Sequence, residues 1–291
     1  MSRPMLRAFA TCAVAYLAAG AVAVGFGAAI GWEHPIAVAA GADVAATLVV
    51  FGFSRAYDNS SFYDPYWSVA PIPIALYWML VPETPAVSVG RQTLAVALVS
   101  LWGVRLTFNW ARGWEGLGHE DWRYVDLRQQ HGRAYWWVSA FGLHLMPTLI
   151  VFVGCLSLYP ALARGTAPLG PLDALAVLVT GGAIWIEARA DKQLRGFVAS
   201  NRTPGAILSN GLWSLCRHPN YFGEMGFWWG LYLFALAADP SWWWTFVGPL
   251  AITLMFRFIS LPLIEDRMLA RRPQFAAHAE RTPMVVPWFP R

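Results

Sequence analysis

Long apolar segments constrain the fold of this chain more than any other feature of its sequence. Backbone N–H and C=O groups find no water in the ~30 Å hydrocarbon core of a bilayer, so segments that cross it must bond internally as helices. Eight candidate segments cover residues 6–30, 36–53, 67–81, 91–111, 135–159, 171–190, 221–238 and 241–262. The sequence therefore predicts an all-α, polytopic transmembrane helical bundle with about seven or eight spans.

The composition agrees with a membrane location. Hydrophobic residues make up 57% of the chain and charged residues 13%, whereas a soluble domain carries about 25% charged residues. We expect one integral membrane domain over residues 1–291, with the first apolar segment retained as a helix; the alternative is a cleaved signal peptide. The third segment is short and contains Pro71 and Pro73, so it is expected to be kinked or to span only in part.

The basic residues predict the topology. With eight spans, both termini lie on the same side of the membrane, and 19 of the 21 Lys and Arg residues fall on that side. Arg91 and Arg164 are the exceptions. The positive-inside rule then places both termini in the cytoplasm. Attraction to anionic membrane lipids explains part of this pattern, but it does not explain the acidic residues interleaved with the arginines.

Three ionisable residues near the end of the sixth segment share one helical face. Glu187, Asp191 and Arg195 follow one another at intervals of four residues, at or just inside the membrane boundary. Ionisable residues at such depth are candidates for a functional site, and the alternative is a salt-bridged helix end. Arg105, within the fourth segment, needs an anion or a carboxylate partner if it is buried.

The segment CRHPNYFGE, which ends at Glu224, concentrates polar groups at the start of another apolar segment. Pro219 fits the first position of a helix, and the N-terminus of that helix favours an anion. Arg217 adds a planar guanidinium suited to phosphate, while Asn220 and Glu224 lie one turn apart. The pattern predicts a phosphate-bearing ligand at the mouth of a membrane helix. The alternative is a helix cap with a charge pair.

Two polar connections complete the candidate cofactor region. Residues 198–213 contain Arg202, followed by Pro204, Gly205 and Gly211, which break a helix. The free N–H groups of such a segment suit an extended ligand. A plain solvated loop is the alternative. Residues 112–133, beginning at Arg112, suggest a lid at the membrane surface.

A third polar segment precedes the proline-bent helix. In YDNSSFYDPYW, Asp64 lies between Tyr63 and Tyr66. A carboxyl group hydrogen-bonded to a phenol forms a proton-donating pair, and partial burial is expected to raise the pKa of Asp64 and keep it protonated. The alternative is a cap within an aromatic belt at the membrane interface.

Several classes of site are not supported by the sequence. The six histidines show no HxxH or HxxxH spacing and the three cysteines form no CxxC, so we expect no metal and no disulfide framework. There is no GxGxxG, Walker A or GxSxG motif. Nothing indicates nucleic acid as a partner, and the oligomeric state is not predicted.

Residues 211–224, GLWSLCRHPNYFGE, resemble the DUF1295 family, a bacterial branch of the steroid 5-alpha-reductase C-terminal superfamily. The segments EARADKQLRGF, LPLIEDRML and PMVVPWFP carry the same resemblance, as does NSSFYDPYWSVAP nearer the N-terminus. Residues 180–291 match best and would form the cofactor-binding C-terminal region. Sterol reductases carry a similar stretch, and isoprenylcysteine carboxyl methyltransferases carry a looser one.

The resemblance implies a membrane reductase that uses NADPH, bound from the cytoplasmic side of a bacterial inner membrane. It implies contacts of Asn220 and Glu224 with the nicotinamide end, and of Asp191 and Arg195 with the ribose and phosphate region. The full set assigned to the cofactor is Arg105, Arg112, Glu187, Asp191, Arg195, Arg202, Arg217, His218, Asn220, Tyr221, Glu224 and Glu265.

The chain departs from the steroid reductases at the substrate carbonyl. Tyr63 and Asp64 stand at the positions of a Gln-Glu pair, and Trp102 stands near the position of a distant tyrosine. An indole cannot donate a phenolic proton, so Tyr63 or Tyr66 is the expected substitute beside Asp64. We predict reduction of an activated C=C bond in a lipid-soluble, steroid- or lipid-like substrate. The alternatives are a methyltransferase that uses S-adenosylmethionine and a non-enzymatic sterol- or lipid-binding protein.

Overall fold

The computed structural model describes residues 2–201, 203 and 205–288. Within that part of the chain every regular element is helical, which confirms the all-α prediction. The main helices are α1 (Arg3–Ala29), α2 (Pro35–Ala56), α3 (Pro71–Leu80), α4 (Val89–Gly113), α5 (Trp122–His131), α6 (Met146–Cys155), α7 (Pro171–Ser200), α8 (Pro219–Ala238), α9 (Val247–Met255), α10 (Leu261–Arg271) and α11 (Phe275–Arg281). Shorter helical turns join them.

Six helical stretches in the described part are long and apolar enough to cross a membrane. They cover Arg3–Ala29, Pro35–Ala56, Val89–Gly113, Trp122–Cys155, Pro171–Ser200 and Pro240–Arg271. The segment predicted at 67–81 contains a short helix, Tyr66–Val69, followed by α3. Pro71 begins α3, because a proline ring is compatible with the first helical turn but not with the interior. The count of seven or eight spans and the side of the termini remain predictions.

Helix α8 lies inside the bundle, and its long face packs along α7. Its side chains Phe227, Trp228, Leu231 and Phe234 are at most 1% exposed. By contrast, α1 packs mainly on α2 and leaves large apolar side chains such as Leu17 exposed. Because the apolar surface of α1 faces outward, α1 is suited to contact with lipid.

Close contact between α7 and α8 depends on glycines of α8. A Cβ atom at Gly223 would lie 2.8 Å from the Ala183 carbonyl oxygen and 2.9 Å from the Glu187 backbone nitrogen. Gly226 faces the Ala183 Cβ atom at 3.2 Å. Small residues at a helix interface let two membrane helices approach closely. The approach also brings Glu187 of α7 beside Glu224 of α8.

A buried ion pair links α4 to α7 at the end of the bundle away from that contact. The Nε atom of Arg91, a fully buried residue, donates to Asp173 Oδ1 at 2.7 Å. The same guanidinium also donates to the carbonyl oxygens of Ala167, Pro168 and Ala237. A buried arginine is tolerated when its donors are satisfied in this way. Arg91 therefore has protein partners, although the predicted topology places it on the side of the membrane with few basic residues.

Candidate active site

Glu224 lies at the centre of the buried polar groups between α4, α7 and α8. Its side chain is held by two indoles: Trp102 Nε1 donates to Oε2 at 2.8 Å, and Trp228 Nε1 donates to Oε1 at 2.9 Å. Phe227 stacks on Trp102 with ring centroids 4.3 Å apart. The carboxylate is 4% exposed, so this aromatic enclosure fixes it in position and keeps it away from bulk water.

Arg105 connects α4 to the ionisable face of α7. It forms an ion pair with Glu187, and its Nη1 atom lies 3.0 Å from Asp191 Oδ2. Asn109 donates to the same Asp191 oxygen at 2.8 Å and accepts from Arg195 at 3.1 Å. Glu187 and Asp191 are thus the carboxylate partners that a buried arginine requires. Arg195 itself is exposed.

The carboxylate cluster, formed by Glu187, Asp191 and Glu224 around Arg105, has more acidic than basic groups. Such a site favours ligand groups that donate hydrogen bonds, such as hydroxyls and amides. Asn220 lies one turn before Glu224, and its buried Oδ1 atom has no hydrogen-bond partner among the described residues. A buried acceptor left unpaired costs free energy, so Asn220 is suited to accept a hydrogen bond from a ligand.

Arg217, His218 and Glu265 form a separate ionic group on the C-terminal side of the site. The guanidinium of Arg217 makes two hydrogen bonds to Glu265, at 2.7 and 2.9 Å, and His218 Nε2 lies 2.9 Å from Glu265 Oε1. Arg217 also donates to the carbonyl oxygens of Ala279 and Thr282. The guanidinium predicted to bind a phosphate is therefore already hydrogen-bonded to Glu265 and to two carbonyl oxygens, and it anchors the C-terminal segment.

The same C-terminal segment pairs with the backbone before α8. The amide groups of Arg217 and His218 donate to the carbonyl oxygens of Pro283 and Met284, at 2.8 and 3.1 Å. These contacts fix the start of α8, and with it Asn220.

The other predicted phosphate ligands have different surroundings. Arg112 is exposed, and its guanidinium lies 5.3 Å from the centre of the Phe108 ring. Arg202 lies outside the described residues. Arg112 and the exposed Arg195 follow the polar face of the site toward the ends of α4 and α7, where a phosphate would remain in contact with water.

The predicted acid Asp64 has an unexpected phenol partner. Tyr124 of α5 donates to Asp64 Oδ1 at 2.6 Å. Tyr63 is hydrogen-bonded to Thr148 at 2.8 Å, and Tyr66 donates to Asp43 Oδ1 at 2.7 Å. We expect Tyr63 or Tyr66 from the sequence as the hydrogen-bond partner of Asp64. This prediction is wrong, because the phenol that donates to Asp64 belongs to Tyr124.

Burial raises the pKa of Asp64 from 3.8 to about 6, with the Tyr124 hydrogen bond and the charge of Arg123 opposing the increase. The direction agrees with the sequence prediction. However, a pKa of about 6 leaves Asp64 mostly ionised at neutral pH, not protonated as expected. Asp64 changes charge close to the pH at which a general acid works best.

This raised pKa predicts a pH dependence of stability. Between pH ~4 and ~6 folded Asp64 retains a proton that it has released in the unfolded chain, so its contribution to the free energy of unfolding falls as pH rises through this window and is constant above it. The expected loss is roughly 2–3 kcal/mol. Thermal unfolding of the detergent-solubilised protein across pH 4–7 measures it.

Asp64→Asn is the matched variant, because its amide oxygen can still accept from Tyr124. The variant should lose the fall in stability between pH ~4 and ~6. At pH values above 6 it should therefore unfold at a higher temperature than the wild type. An unchanged slope in Asp64→Asn would show that other groups produce it. Tyr124→Phe removes a donor that favours the ionised form, so it should move the decline to higher pH.

Tyr221 of α8 is near both the carboxylate cluster and the charged residues around Asp64. Its hydroxyl lies within range of the charges of Arg123, Asp121, Glu224 and Asp191. The ring of Tyr221 packs edge-on against Phe256 and against His218, with centroids 5.0 and 5.9 Å apart. A ligand reaching from Glu224 toward Asp64 would pass this side chain.

Sequence reasoning missed several residues of the site. Asp43 is the one acidic residue in the apolar run of α2, a signal that could have identified it. Tyr124 and Asn109 had no comparable signal, because their roles depend on helices brought together from distant parts of the chain. The sequence excludes Trp102 as a phenolic proton donor but gives no sign that its indole holds Glu224.

Comparison with known proteins places the chain in a family. A family model described as "Protein of unknown function (DUF1295)" matches residues 50–282, so the chain belongs to this family. This confirms the resemblance noted from the sequence. The match covers α3 to α11 and every site residue discussed above except Asp43.

One relative is the "Uncharacterized protein C594.04c" of Schizosaccharomyces pombe. It is 26% identical over an alignment of 265 residues that covers 84% of this chain and 76% of that protein. No solved structure matches the chain significantly.

Proposed function

We propose that this protein is a membrane-embedded, NADPH-dependent reductase of an activated C=C bond in a steroid- or lipid-like substrate. The observation that carries the proposal is the juxtaposition of two different polar sites within one apolar bundle. One is the carboxylate cluster with the unpaired Asn220 oxygen. The other is the Asp64–Tyr124 pair, and Tyr221 is near the charged residues of both.

The residues of the first site fit the nicotinamide end of the cofactor. The Asn220 oxygen and the Glu224 carboxylate accept hydrogen bonds, which a carboxamide N–H group can donate. Glu187 and Asp191 suit ribose hydroxyls. The phosphates would lie with the exposed Arg195 and Arg112, because Arg217 is occupied. When bound, NADPH supplies the hydride.

The residues of the second site fit the carbonyl group of an enone. Hydride addition to the β-carbon places negative charge on the carbonyl oxygen, and a preorganised donor there stabilises that charge. Above pH ~6 Asp64 is ionised and accepts the hydrogen bond of the Tyr124 hydroxyl. Below pH ~6 both side chains are protonated. The indoles of Trp102 and Trp228 exclude water from the Glu224 side, so the hydride is protected from side reactions.

A second candidate function is methyl transfer from S-adenosylmethionine. The acidic surplus of the carboxylate cluster favours it, because that cofactor carries a positive charge and no phosphate. Methyl transfer to a carboxylate requires no acid pair, however, and leaves Asp64–Tyr124 without a role.

The test of the proposed reaction is transfer of deuterium. Purified protein in lipid nanodiscs would be incubated with NADPH deuterated at C4 on either face and with a 3-oxo-4-ene steroid or an isoprenoid enone. The proposal predicts a saturated product that carries one deuterium from one of the two faces. Absence of the saturated product with both enones, together with methylation of a prenylcysteine by S-adenosylmethionine, would support the second candidate instead.

A further inference from the structure

A column of buried polar side chains runs between α2 and residues 135–155, and no residue of the carboxylate cluster belongs to it. We propose that this column conducts protons from the aqueous face at Glu120 to the Asp43–Tyr66 pair inside the bundle. Its members, from the surface inward, are Glu120, Tyr135, Ser60, Ser139, His144, Ser54, Tyr63, Thr148, Thr47, Tyr66 and Asp43.

The outer end of the column is in contact with water. The side chain of Glu120 is 12% exposed and pairs with Arg128, which also pairs with the exposed Asp58. Tyr135 donates to Glu120 Oε1 at 3.4 Å, and its hydroxyl lies 2.6 Å from Ser60 Oγ. Glu120 can therefore take a proton from solvent and pass it to a buried hydroxyl chain.

The middle of the column is fully buried and hydrogen-bonded. Ser60 Oγ lies 3.0 Å from Ser139 Oγ, which lies 3.4 Å from His144 Nδ1. On the other side of the imidazole, Nε2 lies 3.0 Å from Ser54 Oγ. All four residues have no exposed surface. An imidazole with a polar neighbour at each nitrogen is suited to relay a proton.

The backbone around His144 departs from a regular α-helix. Ser139–Leu145 forms a π-helical turn, and His144 Nδ1 lies 2.9 Å from the Ser139 carbonyl oxygen. Such turns often occur at functional sites. The wider turn lets a residue five positions on reach back to Ser139, so the relay geometry depends on it.

The inner end of the column reaches the middle of α2. Tyr63 OH lies 2.8 Å from Thr148 Oγ1, which lies 2.9 Å from Thr47 Oγ1. Tyr66 donates to Asp43, which is 6% exposed and flanked by apolar residues. The inner and middle parts meet where the rings of Tyr63 and His144 pack with centroids 4.9 Å apart. Transfer across this contact requires the imidazole to turn.

The chemistry of the column is proton transfer alone. At each step one O–H or N–H bond breaks and one forms, so a proton enters at Glu120 and a proton leaves at Asp43–Tyr66, with no electron transferred. The use of that proton rests on the proposed function: reduction of C=C by NADPH consumes one hydride and one proton. The proton would form the C–H bond at the carbon next to the carbonyl. The groups that face His144 are Ser54, Ser139, Tyr63 and Phe51.

The test uses Ser139→Ala, which removes the hydroxyl between Ser60 and His144 but keeps the backbone carbonyl that holds the imidazole. Ser157→Ala is the control, because Ser157 is equally buried and donates to Thr245 O at 3.4 Å, away from the column. Exchange of the imidazole N–H hydrogen in D2O, followed by nitrogen-15 NMR of the labelled protein, reports whether protons reach His144. It needs neither substrate nor cofactor.

We expect the N–H hydrogen of His144 in the wild type to exchange rapidly despite its burial, with the exposed His119 as the reference. Ser139→Ala should slow His144 several-fold without changing His119, and Ser157→Ala should change neither. A wild-type His144 that does not exchange, or a Ser139→Ala variant that exchanges like the wild type, would overturn the proposal. His144 exchange in a protein that never oxidises NADPH would support the column and contradict the reductase.

Discussion

Replacing Gly223 with alanine should force α7 and α8 apart and destabilise the protein by about 2–3 kcal/mol, near the upper end of the range for overpacked cores. The new Cβ atom would meet the Ala183 carbonyl oxygen and the Glu187 backbone at 2.8–2.9 Å. Backbone atoms cannot rotate out of the way as a side chain can, so the helices themselves must move. The displacement would also separate Glu224 from Glu187.

The same substitution at Gly182 provides the control. Gly182 lies in α7, the partner helix of α8, and a Cβ atom there meets nothing within 4 Å. Alanine favours a helix over glycine by about 1 kcal/mol, so Gly182→Ala should unfold at the same or a higher temperature than the wild type. Thermal unfolding in detergent compares the two variants. If both shift in the same direction and by the same amount, the close helix contact is not what stabilises this region.

Replacing Glu224 with glutamine should lower reductase turnover by at least about 100-fold, the loss typical of a removed electrostatic contact at a reacting group. Both carboxylate oxygens accept an indole N–H, one from Trp102 and one from Trp228. Glutamine has one acceptor oxygen, so its amide group would face one of the two indole donors. Loss of that hydrogen bond costs about 1–3 kcal/mol, and the charged acceptor for the carboxamide N–H group is lost as well.

Trp228→Phe separates the two contributions. It removes one indole donor but leaves the carboxylate and its charge, so turnover should fall by less than in Glu224→Gln. Turnover would be measured with NADPH at increasing concentration, after unfolding in the absence of cofactor has shown that each variant is folded. A Glu224→Gln variant that turns over at the wild-type rate would exclude Glu224 from cofactor binding.

Local spacing in the sequence was enough to predict parts of this site. Glu187 and Asp191 were placed on one helical face by their interval of four residues, and a buried Arg105 was expected to need a carboxylate. Helix α3 is short because Pro71 fixes where it begins, which the sequence also indicates. Each of these predictions depends on a rule that acts within one helix or one turn.

Contacts between distant segments could not be predicted in this way. Trp102 and Glu224 are 122 residues apart, and no local pattern indicates that an indole will hold that carboxylate. Arg217 looked free for a phosphate, but the return of the C-terminal segment supplies two carbonyl oxygens and Glu265. The partner of Asp64 depends on where α5 packs, so Tyr124 was missed although both neighbouring tyrosines were considered.

The most direct test of the reductase proposal is thermal unfolding of the purified protein with NADPH, NADH or S-adenosylmethionine. A ligand at ~100 times its dissociation constant stabilises the native state by about 2.7 kcal/mol. The account predicts that NADPH raises the unfolding midpoint of the wild type, that S-adenosylmethionine does not, and that the NADPH effect is lost in Glu224→Gln. Stabilisation by S-adenosylmethionine with none by NADPH would contradict it.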